Sequence, residues 1–198
     1  MNRNDHNPEV RDDANMDVAI GVLELCSIAR GVEVADAVLK EARVELLFAT
    51  PVQPGKYVML FTGSVHDVRA SAARGAALAG SDLIDQLVIP QVHEQIVPML
   101  KRKGGRINGT LDAIGVIETT TVASTISSAD IALKSATVDL IDVRIANGLG
   151  GKSFFTLTGE VSDVRSSIAA GARVAQERGL LAREVVIPQP HPELARHL

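Results

Sequence analysis

The run Ala146-Asn147-Gly148-Leu149-Gly150-Gly151-Lys152-Ser153 sets glycines ahead of a Lys-Ser pair, close to the spacing with which a phosphate-binding loop wraps an anion. Such a loop works only where it opens a helix, because the free amides and dipole of the helix N-terminus hold the charge. Here Phe154-Phe155-Thr156-Leu157-Thr158 follows, a strand-forming run closed by Gly159, so a turn between two strands is expected instead. Of the five histidines, His93 (before Glu94) and His191 (two before Glu193) could supply zinc ligands. No HExxH-type spacing fixes them on one helix face, so the expectation is no metal. A helix-start His hydrogen-bonding across a subunit or copy boundary is expected in its place. Cys26 stands alone, which excludes an intrachain disulfide or a Cys-rich metal site, and it reads as a small, partly buried side chain. Glu24 and Glu118 lie inside apolar strands, each with no evident acid–base partner in its own copy; a buried carboxylate demands bonds, and an interface would supply them. No Gly-x-Ser-x-Gly elbow is present, and no catalytic residue or cofactor is assigned.

The composition argues against nucleic acid and membrane as partners. The chain has 198 residues, 46% hydrophobic and 22% charged, as in ordinary globular domains. Aromatics are 3%, so the core is built mainly of Val, Ile, Leu and Ala, and platforms for base stacking are scarce. A net charge of −4 offers no basic excess for phosphates or anionic lipid, so neither nucleic acid nor membrane is an expected partner. No apolar run reaches the roughly 18 residues that span a bilayer. Residues 1–16 read as a mobile polar tail without a leader's apolar core.

The elements that must position these residues occur twice. Ala35-Asp36-x-x-Leu39-Lys40-x-Ala42 recurs as Ala129-Asp130-x-x-Leu133-Lys134-x-Ala136. Thr62-Gly63-x-Val65-x-Asp67-Val68-Arg69-x-Ser71 recurs from Thr158 to Ser167, and Val88-Ile89-Pro90-Gln91-x-His93 from Val186 to His191. The offset grows from 94 to 96 to 98, so the second copy carries two short insertions. This is a tandem duplication. The first domain is placed at 17–100, a basic Gly-containing linker at 101–110, and the second domain at 111–198.

Each copy switches periodicity in the order β-α-β-β-α-β-α. In copy one, Val18–Leu25 reads as a buried strand; Ser27 caps a helix with Ile28, Val32, Ala35 and Leu39 as its apolar spacing. Val44–Ala49 and Tyr57–Phe61 are strands around the turn Pro51–Gly55, and Ser64-x-x-Asp67 starts a second helix toward Ala79. Leu83–Ile89 is the last strand and His93–Leu100 a short helix. The fold class is α+β: two tandem ferredoxin-like, split βαβ units.

These motifs, from Ala19-Ile20-Gly21-Val22-Leu23-Glu24 to Val88-Ile89-Pro90-Gln91-x-His93 and their second-copy counterparts, resemble the bacterial microcompartment (BMC) shell domain. The resemblance covers residues 18–198. Both copies begin with the Ile-Gly-Val strand, as in the non-permuted tandem branch, similar to the tandem shell proteins of propanediol-utilising compartments. It implies a homotrimer whose six domains form a pseudohexameric tile, packed edge to edge with other shell proteins around encapsulated enzymes, in a cytoplasmic shell. It also implies a central pore for small polar metabolites lined by Gln53, Pro54, Gly55, Asn147, Gly148, Leu149, Gly150 and Gly151. Lys40, Lys134, Gln91 and Gln189 take the places of tile-edge residues. Many relatives carry Arg where Gln91 and Gln189 stand, and Gln has neither its charge nor its reach. Some tandem relatives place at the position of Gln53 a Cys that binds an iron–sulfur cluster; Gln53 is no thiolate, so no cluster is expected. The alternative on the repeat alone is a ferredoxin-like small-molecule-binding regulatory module.

Overall fold

The computed structural model describes residues 18–101, 111–145, 148–195 and 197. Copy one runs β1 (Ala19–Leu25), α1 (Ile28–Glu41), β2 (Val44–Val52), β3 (Lys56–Gly63), α2 (Val65–Ala79), a 3-10 turn at Gly80–Asp82, β4 (Leu83–Ile89) and α3 (Ile96–Lys101). Copy two repeats this as β5 (Ala113–Thr119), α4 (Val122–Ser135), β6 (Asp139–Arg144), β7 (Ser153–Gly159), α5 (Val161–Glu177), β8 (Leu181–Pro188) and α6 (Pro192–Ala195). The sheets have the orders β2-β3-β1-β4 and β6-β7-β5-β8, with every pairing antiparallel. That is the split βαβ arrangement expected from the sequence. The tail at 1–16 and most of the linker lie outside the described residues.

Local chemistry explains the boundaries. Ser27 and Thr121 cap α1 and α4, each side chain accepting from the N–H three residues on, and Ser64 caps α2 in the same way. Pro51, read as part of a turn, instead lies within β2. The strand is at the edge of its sheet, where a residue without an N–H costs no ladder bond. The largest fully buried side chains are Phe61 and Phe155, so two of the four phenylalanines anchor cores otherwise made of aliphatics.

The face of α1 differs from the one read off the sequence. Gly31, Val34, Ala35 and Val38 are buried, while Ile28, Val32 and Leu39 are exposed. The helix carries two apolar stripes, and its own sheet takes only one.

Helix approaches set the steric limits. A Cβ on Gly171 of α5 would lie 2.7 Å from the Ser128 carbonyl oxygen of α4, a backbone atom that cannot swing aside. Gly171→Val is therefore expected to lower the unfolding free energy by about 2 kcal/mol through overpacking. Chemical denaturation checks this; a midpoint equal to wild type would refute the close approach.

Candidate functional site

The seam between the two copies holds Glu24 and Lys134 together with polar side chains that the sequence did not single out. Glu24 is wholly buried in β1. Its Oε1 accepts from Lys56 Nζ at 2.9 Å, so it does have a cationic partner within its own copy, on the neighbouring strand. Its Oε2 accepts from the Val122 N–H at 2.9 Å, the first amide of α4 in the other copy. A carboxylate at a helix N-terminus meets both the free amides and the positive end of the dipole. Burial pushes the Glu24 carboxyl above its ordinary value, and nearby Asp85 adds to the rise; Lys56 and the Val122 amide pull it back.

Beside it, Asp85 of β4 accepts from the Thr121 hydroxyl at 2.7 Å and from Arg178 Nη2 at 2.5 Å, both in copy two. At the far end of the seam, Asp130 of α4 accepts from the His93 N–H at 2.8 Å, and Lys134 donates to Asp130 and to the Gln91 carbonyl. The Gln95 side chain accepts from the Leu140 N–H at 2.7 Å. Between these contacts, Val122, Ile126, Ala129 and Leu133 of α4 join Ile20, Val22, Leu60 and Ile96 of copy one in a single core.

The turns named as pore lining meet at the same seam. Gly151 faces Pro54 and the Gln53 carbonyl, 3.0 and 3.4 Å from where its Cβ would be. Gly55, Gly148, Gly150 and Gly151 all have positive φ, so the turns need glycine there. Asn147 lies outside the described residues. Ser153 begins β7 rather than a helix, so the phosphate-loop spacing is a strand-to-strand turn.

Other expected residues fall as follows. Lys40 is exposed and pairs with Asp36; Lys134, also exposed, pairs with Asp130 and donates to the Gln91 carbonyl of copy one. Gln91 is exposed, and Gln189 adopts φ 48° with its N–H donating to the Asp112 carbonyl. His93 does meet the copy boundary, through its backbone; the rings of His93 and His191 each accept from the N–H two residues on. Cys26 is exposed rather than partly buried, because it sits past the end of β1, where its Sγ faces Asp82. Among the described residues no group of three His, Cys, Asp or Glu is placed to hold a metal. The partners of Asp85 were not legible: Arg178 follows the second-copy insertion and has no counterpart in the motifs.

Fold and seam together define a class of protein: a tandem α+β building block whose copies dock through faces that each copy repeats. The chain belongs to the bacterial microcompartment shell family, with the BMC domain matching residues 19–92 and 113–190. It is 40% identical to the bacterial microcompartment shell protein PduT of Citrobacter freundii over 183 residues, covering 92% of this chain and 98% of that one. It is 28% identical to the carboxysome assembly protein CcmO of Synechocystis sp., covering 87% of this chain and 62% of that one. The crystal structure of a microcompartment protein from Desulfitobacterium hafniense DCB matches with a TM-score of 0.82 at 46% identity, over 91% of this chain and 99% of that one. The chain is thus a structural component of a cytoplasmic microcompartment shell, and the regulatory-module alternative is not supported.

The raised Glu24 value carries a pH dependence. A carboxyl that holds its proton more tightly when folded stabilises the fold at low pH, and that contribution is lost as pH rises from 4.5 through the folded value. The unfolding free energy of wild type minus that of Glu24→Gln is expected to fall as pH is raised from 4.5 toward neutrality. Paired melts check this; a difference that rises over that range would refute it.

Proposed function

We propose that three chains close into a pseudohexagonal shell tile with a central polar pore, and that the protein works as a wall and conduit rather than as an enzyme. One observation carries the reading. Ile28, Val32 and Leu39 of α1 are 43%, 55% and 46% exposed, whereas their counterparts Val122, Ile126 and Leu133 of α4 are 0%, 0% and 4% exposed. Copy one covers α4; in a closed ring, copy two of a neighbouring chain covers α1 in the same way. Covering the exposed half of three such side chains is worth about 3 kcal/mol gross.

The polar groups repeat the contrast. Lys152 pairs with Glu118 at 3.0 Å, as Lys56 does with Glu24, yet the amide answering Val122 is that of Ile28, which in the ring the α1 of a neighbouring chain supplies. Asp36 and Lys40 are exposed where Asp130 and Lys134 grip copy one. Three-fold repetition of two domains closes a six-membered ring while letting alternate positions differ. On this reading residues 17–100 and 111–198 are the two tile-forming domains. Gln53, Pro54 and Gly55 alternate with Gly148, Leu149, Gly150 and Gly151 around the axis. The glycine amides and the Gln53 side chain give an uncharged, hydrogen-bonding passage for small polar metabolites, with no bound metal or cofactor. Lys40, Lys134, Gln91 and Gln189 lie toward the rim, where other shell proteins adjoin, and encapsulated enzymes are partners of the finished shell.

Sedimentation tests the ring: wild type is expected near 63 kDa, three times the 20.9 kDa chain. Val32→Glu should alter the isolated fold by no more than about 0.5 kcal/mol, as surface changes do. It would bury an unpaired charge in the ring and is expected to yield monomers. A Val32→Glu trimer as tight as wild type would refute the α1 contact.

The passage is tested separately. Gln53→Cys in a Cys26→Ser background places one thiol per chain around the axis, and oxidation is expected to link chains pairwise on a non-reducing gel. Trimers that form no such cross-link would remove these turns from the axis.

A further inference from the structure

We propose that Arg183 is the specificity residue of the chain-to-chain seam, seating on an acidic surface made by Asp82 and Glu33 of the neighbouring copy one. The inference rests on the ring reading above and goes beyond it. Strand register makes Asp85 and Arg183 counterparts: Asp85 lies opposite Glu24 on β4, and Arg183 opposite Glu118 on β8. One is acidic and the other basic, so the duplicated position has reversed its charge.

Inside the chain this position is already used. Asp85 is buried against the Thr121 hydroxyl and the Arg178 guanidinium, on the helix cap and the α5–β8 turn of copy two. Arg183 is exposed and pairs with none of the described residues. The surface that copy one offers at the matching place is the α1 cap, Ser27, and the α2–β4 turn. That turn is anchored as its counterpart is: the Asp82 carbonyl accepts from the Cys26 N–H, and the Leu180 carbonyl accepts from the Thr120 N–H. The groups there are Asp82, Glu33 and Arg30, with Arg30 Nη1 2.6 Å from Glu33 and Nε 3.6 Å from Asp82. Two carboxylates against one guanidinium leave a net negative surface. Arg183 completes it.

The reversal also rejects wrong pairings. Two first copies in contact would set Asp85 against the same acidic surface, and two second copies would set Arg183 against Arg178. Like charges across an interface cost far more than surface charges gain. Copy one leaves the ribosome first and could otherwise associate with its own kind before copy two exists.

The test is sedimentation of the full chain across a dilution series. Arg183→Asp is expected to weaken trimer formation about tenfold or more, and Arg183→Gln by less. Asp82→Arg alone should also weaken it, and the double variant Arg183→Asp/Asp82→Arg should recover most of the loss. Circular-dichroism melts of the dissociated chains should match wild type, since both side chains are at least partly exposed. Wild-type affinity in Arg183→Asp, or a double variant no tighter than the weaker single, would overturn the pairing while leaving the ring intact. A wild type that remains monomeric would overturn the ring and the pairing with it.

Discussion

A carboxylate with no access to solvent joins the two halves of this chain. Glu24 would be costly to bury alone; Lys56 from the adjacent strand and the first amide of α4 make its place tenable. The same bonds fix where the second copy stands. With the start of α4 held over β1, the apolar side of that helix meets Ile20, Val22 and Leu60. Its C-terminal half brings Asp130 to the His93 amide. The meeting of the Gln53–Pro54 turn with Gly151 lies within the same arrangement. Directional bonds set the position, and non-directional burial supplies most of the energy.

Duplication gives one sequence two environments. Lys40 and Lys134 occupy the same point of the same helix, but the first meets solvent and the second a neighbouring backbone carbonyl. The core records the difference. Copy one keeps a core of its own around Phe61, whereas that of copy two runs on into copy one through α4. A folded chain therefore has two unlike open ends: α1 lacks a cover, and β5 of copy two, partly exposed at Val116 and Glu118, lacks a helix to cover.

The sequence was legible wherever the signal was local. Element order, the Ser27 and Ser64 caps and the strand after the glycine run all follow from neighbours within a few residues. The buried side of α1 was not legible, because periodicity shows that a stripe exists and not which neighbour takes it. Ile28, Val32 and Leu39 satisfy helical spacing as well as Val34 and Val38 do. Bonds between distant residues were also hidden: Glu24 and Val122 are 98 positions apart. Among the expected site residues, the turns at Gln53 and Gly151 meet, and the reach of Lys134 to the Gln91 carbonyl, 43 positions away, was as hidden as that of Glu24.

Because copy one already holds copy two, half of the contacts in a six-domain ring form within single chains. A tethered partner acts as though present at about millimolar concentration whatever the dilution, while a free chain's concentration falls with its surroundings. Scarcity would therefore act on only three of the six junctions of the proposed ring. Such a ring would have no route to fall apart domain by domain; it would be built, and worn away, in thirds.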